Sequence, residues 1–152
     1  MDILFHIRYA WQKCKYRNVK IGSNSKIALG TTINRPEKLS LGNNSYINGG
    51  TFSIGSNSSI IIGDNCLISY AVHLRTFSHN YENKDVLIRK QGEFEADIIV
   101  EDDVWIGYAA QIMPGIILHR GCVVGAGAVV THDVLEYEVV GGVPARHIKY
   151  RI

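Results

Sequence analysis

From Val100 onward, aliphatic side chains return at every sixth position: Val100, Ile106, Ile112, Leu118, Val124 and Val130. Four residues after each stands a small or modest side chain, at Val104, Ala110, Ile116, Cys122, Ala128 and Val134. The same grammar runs earlier through Ile21, Ile27 and Ile33, then Leu41 and Ile47, then Ile62, Ile68 and Leu74. It slips twice, around 34–40 and around 53–61, and it stops between Leu74 and Ile98. A period of six fits neither a helix nor an alternating strand. It predicts short strands joined by tight corners, each strand turning one aliphatic into a prism. Gly, Asn and Asp after the aliphatic positions, as in Gly42-Asn43-Asn44 and Gly63-Asp64-Asn65, suit unusual corner dihedrals. Three strands close one triangular coil, and a coil that cannot bury its inner face alone must stack on others. A sandwich would instead show period-two alternation without a fixed register. The predicted fold is therefore all-β, a parallel β-helix of hexapeptide repeats with one extruded loop.

With 152 residues the chain suits one domain. The expected division is an N-terminal cap at 1–18, a β-helix at 19–148 with its loop at 75–97, and a C-terminal tail at 149–152. The cap reads as a short helix: Ile3, Leu4, Phe5, Ile7 and Trp11 alternate with His6, Arg8, Lys13, Lys15 and Arg17. Such a basic amphipathic segment suits the end of a fold or a partner subunit, and residues 1–17 also allow weak association with a membrane surface. Neither a secretory signal nor a transmembrane run is read in the chain.

Sixteen basic and fourteen acidic residues leave a net charge of +2, too even to announce nucleic acid as a partner. Cys14, Cys66 and Cys122 are odd in number and widely spaced, which points to free thiols and a cytoplasmic setting. Cys66 and Cys122 read as small core residues.

The polar stretch 75–97 interrupts an otherwise rigid solenoid and is where chemistry is expected. It carries His79, in Thr76-Phe-Ser-His-Asn-Tyr81, with Glu82, Asp85, Arg89 and Lys90 beyond it. Imidazole changes its protonation near neutral pH and suits general acid–base work, which makes His79 the candidate base of this stretch. The orienting partner of His79 stays open between Glu82, Asp85 and a backbone carbonyl.

The runs Ile99-Val-Glu-Asp-Asp-Val-Trp-Ile-Gly107, Val124-Gly-Ala-Gly-Ala-Val-Val-Thr131 and Gly142-Val-Pro-Ala-Arg146 resemble the hexapeptide-repeat acyltransferases, in the galactoside, maltose and polysaccharide O-acetyltransferase branch. The resemblance spans roughly residues 19–148. It implies a left-handed β-helix that works as a homotrimer, with sites at subunit interfaces and the loop walling a neighbour's cleft. It implies His79 as general base and acetyl-CoA as co-substrate, with no metal. Tyr108 and Ala109 match the lining of the pantetheine groove, Ala126 and Thr131 match later contacts, and Arg146 with Lys149 matches the basic pair that meets the nucleotide phosphates. His132, where relatives often have lysine, falls near that nucleotide. Trp105 either lines the thioester site or packs between loop and coil.

On the acceptor side Asn48 matches an acceptor-binding Asn, whereas Gly50 stands where a second Asn is common. This departure, and the short N-terminus, turn the expectation from maltose or galactosides toward a sugar unit of a polysaccharide precursor. Two other classes share the fold. A γ-type carbonic anhydrase needs converging imidazoles with two histidines five residues apart, and His73 and His79 are six apart. A noncatalytic binding scaffold would favour a filled groove or a loop without its histidine.

Overall fold

A computed structural model of the chain describes residues 14–152, and in it the six-residue step becomes a left-handed parallel β-helix with three flat faces. The first face stacks Lys20–Ile21, Leu39–Leu41, Ile60–Ile62, Ile98–Val100 and Ile117–Leu118. The second stacks Lys26–Ile27, Tyr46–Ile47, Leu67–Ile68, Trp105–Ile106, Val123–Val124 and Glu138–Gly141. The third stacks Thr31–Ile33, Gly50–Ser53, Val72–Arg75, Gln111–Ile112 and Val129–Val130. All these neighbours pair in parallel.

The inward positions read from the sequence form the core. Val100, Ile106, Ile112, Leu118, Val124 and Val130 are all buried, as are Val104, Ala110, Ile116, Cys122, Ala128 and Val134. In the earlier coils three members of the second set, Ser25, Ser45 and Cys66, carry polar hydrogens that bond along the axis. Ser25 Oγ donates to the Gly42 carbonyl at 2.6 Å, Ser45 Oγ to Gly63 at 2.8 Å, and Cys66 Sγ to Glu101 at 3.0 Å. Burial pushes the Cys66 thiol up to about 11 and the Cys122 thiol up to about 12, so both stay protonated core groups. Ile21 departs from the expected pattern. It is 42% exposed, because it lies in the terminal coil of its face and has a strand on one side only.

The corner between first and second faces explains the Asn and Asp residues. Asn24, Asn44, Asn65 and Asp103 occupy one position in successive coils, each with φ between 54° and 60°. Short polar side chains visit that left-handed region most cheaply among residues with a Cβ. One residue earlier, side-chain oxygens take up backbone donors: Ser23 N–H bonds Asn43 Oδ1 at 2.8 Å, and Asp64 N–H bonds Asp102 Oδ1 at 2.8 Å.

Regular coils advance 18 residues, as from Gln111 to Val129. The step from Ile60 to Ile98 is 38, yet the register on all three faces is kept. The twenty extra residues therefore leave the helix without disturbing it. They form an antiparallel arm: Phe77, Ser78 and His79 pair with Glu95, Phe94 and Glu93. The expected loop is thus a two-stranded ribbon at its root. The two slips lengthen early coils, the first housing a short 3-10 turn at Pro36–Lys38.

At the N-terminal end the buried Tyr16 ring closes the prism, with its hydroxyl 2.9 Å from the carbonyls of Ala28 and Thr31. The helical cap expected over 1–18 lies mostly outside the described residues. At the other end Arg146–Tyr150 folds back antiparallel on Glu138–Gly141, so the tail boundary drawn at 148/149 falls inside a strand. No helix among the described residues is long and apolar enough to cross a membrane.

Candidate active site

His79 ends the outgoing strand of the arm, directly opposite Glu93. Its Nδ1 lies 3.2 Å from Glu93 Oε1, and its ring is largely open to solvent. With Nδ1 donating to the carboxylate, Nε2 carries the free lone pair of the neutral ring and points its basicity outward. A base with one nitrogen held by a third group is the arrangement that activates a hydroxyl nucleophile. Glu93 was not among the partners read from the sequence. Its signal was there: Glu93-Phe94-Glu95 alternates with period two, the mark of a strand inside the break.

His73 stands apart on the third face. Its Nε2 is 3.2 Å from Ser53 Oγ, and burial, with the charge of Arg75, pushes its protonation below the usual imidazole range. Two other histidines are bound to acids away from the arm: His119 to Glu101 at 3.2 Å and His147 to Glu138 at 2.9 Å.

The residues expected to hold acetyl-CoA fall in two groups. Tyr108, Ala109 and Ala126 lie on the corner between second and third faces. This corner is a column of mostly small residues whose backbone is bonded from coil to coil. Ala109 N–H bonds the Tyr70 carbonyl at 3.0 Å, Gly127 N–H the Tyr108 carbonyl at 2.7 Å, and Val129 N–H the Gly142 carbonyl at 3.0 Å. Gly107 is required there, since a Cβ would sit 2.7 Å from the Ala126 nitrogen in the next coil. Tyr70 and Tyr108 project from the column, each 60% exposed. Asn48 heads the same column, and Trp105 lies beside it on the second face, donating from Nε1 to Ser69 Oγ at 3.3 Å.

Thr131, His132 and Arg146 form the second group. They meet around a concavity of about 220 Å³ at the C-terminal end, with His147 and Glu138 in its wall. Thr131 Oγ1 is 3.0 Å from His132 Nδ1, and Arg146 donates to its own Ala145 carbonyl at 2.9 Å. Neither Arg146 nor Lys149 joins an ion pair among the described residues. Lys149 lies on the closing hairpin, opposite Val139.

Within one chain, His79 and the column do not share an edge. The column marks the entry to the third face, whereas the arm leaves after Arg75, where that face ends. Among the described residues no group of three His, Cys, Asp or Glu side chains is placed to hold a metal ion.

Residues 97–132 match the model of the bacterial transferase hexapeptide, six repeats long. The galactoside O-acetyltransferase of Escherichia coli K12 is 32% identical over 130 residues, which are 85% of this chain and 62% of that protein. A chloramphenicol acetyltransferase from Escherichia coli is 38% identical over 102 residues, 65% of this chain and 48% of its own. A hexapeptide-repeat acetyltransferase from Vibrio cholerae superposes with a TM-score of 0.82 at 28% identity, over 95% of this chain and 80% of the other. The same protein complexed with acetyl coenzyme A superposes at 0.74, over 99% and 79%. The stacked coils are those of a hexapeptide-repeat β-helix, the fold of these acetyltransferases. The chain carries the bacterial transferase hexapeptide over residues 97–132 and is similar to hexapeptide-repeat acetyltransferases over most of its length. It spans 62% and 48% of the lengths of the two curated relatives named above.

Proposed function

We propose that the protein is an acetyl-CoA-dependent O-acetyltransferase that acts on a hydroxyl of a sugar or polysaccharide precursor, with His79 as general base. The observation that carries this reading is the His79–Glu93 pair, held on an arm whose root is built into the helix. In support, the galactoside relative is an O-acetyltransferase, and the Vibrio cholerae neighbour was solved with acetyl coenzyme A. The length of the corner column supports a place for the co-substrate there. From Asn48 to Gly142 it climbs four coil steps, about 19 Å at ~4.8 Å per strand. That is enough to lie beside an extended pantetheine arm, with the thioester toward Trp105 and Asn48. Thr131, His132, Arg146 and Lys149 then meet the nucleotide end. The shortage of carboxylate partners for Arg146 and Lys149 leaves both cations free for phosphates.

Because column and arm occupy opposite edges of the third face, a complete site takes the column of one copy and the arm of the next. A cyclic homotrimer closes that arrangement with three equivalent sites. The free thiols, two of them buried in the core, fit a cytoplasmic enzyme.

The direct experiment offers acetyl-CoA with a panel of sugars, nucleotide-sugars and chloramphenicol, following CoA release on the trimeric fraction. Acetyl transfer to a sugar hydroxyl is the expected result. Transfer to chloramphenicol alone overturns the sugar acceptor, and no transfer to any member overturns the enzyme reading.

The cations are tested separately. Arg146→Ala combined with Lys149→Ala is expected to weaken acetyl-CoA binding by about tenfold or more, the worth of one charge-assisted hydrogen bond at an exposed site. The remaining affinity should depend less on salt. Calorimetric titration at two ionic strengths measures both, and an unchanged Kd would remove these residues from the site.

A further inference from the structure

The second slip in the repeat and the arm, separate irregularities in the sequence, meet in one device. Glu95, at the root of the returning strand, puts its carboxylate into the turn Gly55–Ser58 of the coil beneath. Oε1 accepts from Ser56 N–H at 3.2 Å and from Ser56 Oγ–H at 3.1 Å. Oε2 accepts from Asn57 N–H at 2.7 Å and from Ser58 Oγ–H at 2.9 Å. These donors, the Asn57 amide foremost, hold the Glu95 carboxyl below the usual carboxylate range. A side chain at Gly55 would overlap that carboxylate.

The outgoing strand is fixed to the same turn. Thr76 is fully buried, its Oγ1 accepts from Gly55 N–H at 2.9 Å, and it lies 2.6 Å from the Ser58 hydroxyl. Ser58 therefore touches both strands of the arm at once. Beyond the root, residues 81–90 are exposed, and the tip is closed on itself by Gln91, which donates to the Asn83 and Val86 carbonyls. A lone two-stranded ribbon is marginally stable, so the attitude of this one depends on its root.

We propose that Glu95 is a positioning residue for His79, acting by clamping the arm to the turn Gly55–Ser58. Glu95 and Glu93 are two apart on one strand and so face the same side of the ribbon. Fixing Glu95 fixes the side on which Glu93 meets His79. A ribbon loose at its root displaces the imidazole two pairs above it, and a misplacement of about 1 Å is enough to cost roughly a hundredfold in rate. The inference rests on the reading of His79 as base.

The test uses Glu95→Gln and, as an independent cut of the same clamp, Ser58→Ala. Both are expected to lower kcat, Glu95→Gln by roughly ten- to hundredfold, with Kd for acetyl-CoA unchanged. Amide exchange should quicken at Phe77–His79 and Glu93–Glu95, while Ile106 and Val124 in the core keep their protection. Turnover within twofold of wild type, or arm exchange unchanged in both variants, overturns the clamp. His79→Ala in the same assay separates the two ideas. If it cuts turnover at least a hundredfold while Glu95→Gln stays within twofold of wild type, only the clamp fails. If His79→Ala is active, the base reading fails, and the exchange data still decide whether Glu95 holds the arm.

Discussion

Replacing His79 by Ala is expected to cut acetyl transfer by roughly 10²- to 10⁴-fold, the usual worth of a positioned general base, while fold, assembly and CoA affinity stay as they were. The reason is local. His79 belongs to the arm, its ring is mostly solvent-exposed, and its one polar partner among the described ion pairs is Glu93 at 3.2 Å. Nothing in the core loses a contact when the imidazole is removed. On the proposed mechanism, what is lost is the acceptor for the hydroxyl proton. His79→Asn retains a polar side chain that cannot serve as base, and it should lose activity to the same degree. Glu93→Gln should cost less, about tenfold, because it weakens one charge-assisted hydrogen bond to the ring without removing the base. Steady-state transfer to a confirmed acceptor, with CoA affinity taken from calorimetry, measures the effect. Near-normal turnover in both His79 variants would sink the mechanism. Attention would then turn to His73, whose ring is tied to Ser53 on the third face.

How far each of these features was visible beforehand follows from the range of the interactions that make it. The core positions from Val100 to Val134 were legible because each coil repeats the same local demand, an inward aliphatic and a small residue four places on. The arm's existence was legible as missing register, but its strands were not, since the pairing of His79 with Glu93 joins residues fourteen apart in sequence. The alternation Glu93-Phe94-Glu95 carried that information in a segment too short to weigh against a polar loop. Glu95's partners at Ser56, Asn57 and Ser58 lie 37–39 residues earlier. No local pattern joins residues so far apart. His79 itself was reached through family resemblance and its place in the break, not through geometry. The separation of His79 from the column of Tyr108, Ala109 and Ala126 was invisible for a different reason: edges of a prism exist only once the coils are stacked.

Gly50, read from the resemblance as standing where a second Asn is common, has a structural reason in the fold. Gly50→Ala is expected to destabilise the protein by about 2–6 kcal/mol, combining left-handed strain and a steric clash, each of about 1–3 kcal/mol. Its φ is +127°, a region that side chains with a Cβ rarely enter. An added Cβ would overlap the Val72 carbonyl oxygen and lie 2.8 Å from Val72 Cγ2, both in the coil stacked directly above. Val72 is buried, and the next residue, His73, is paired to Gln111 on the far side, so it has little room to yield. Asn at this position meets the same backbone, and Gly50→Asn should be at least as damaging while gaining no acceptor contact that the strand can present. Gly127→Ala makes the control, because its φ is +68° but a Cβ there meets nothing within 4 Å. That variant reports strain alone, about 1–2 kcal/mol. Denaturant unfolding at one fixed protein concentration compares the three, so that assembly does not distort the differences. If Gly50→Ala proved no more destabilising than Gly127→Ala, the close approach of coils at Val72 would not be what excludes a side chain, and the missing Asn would have to be explained by the acceptor instead.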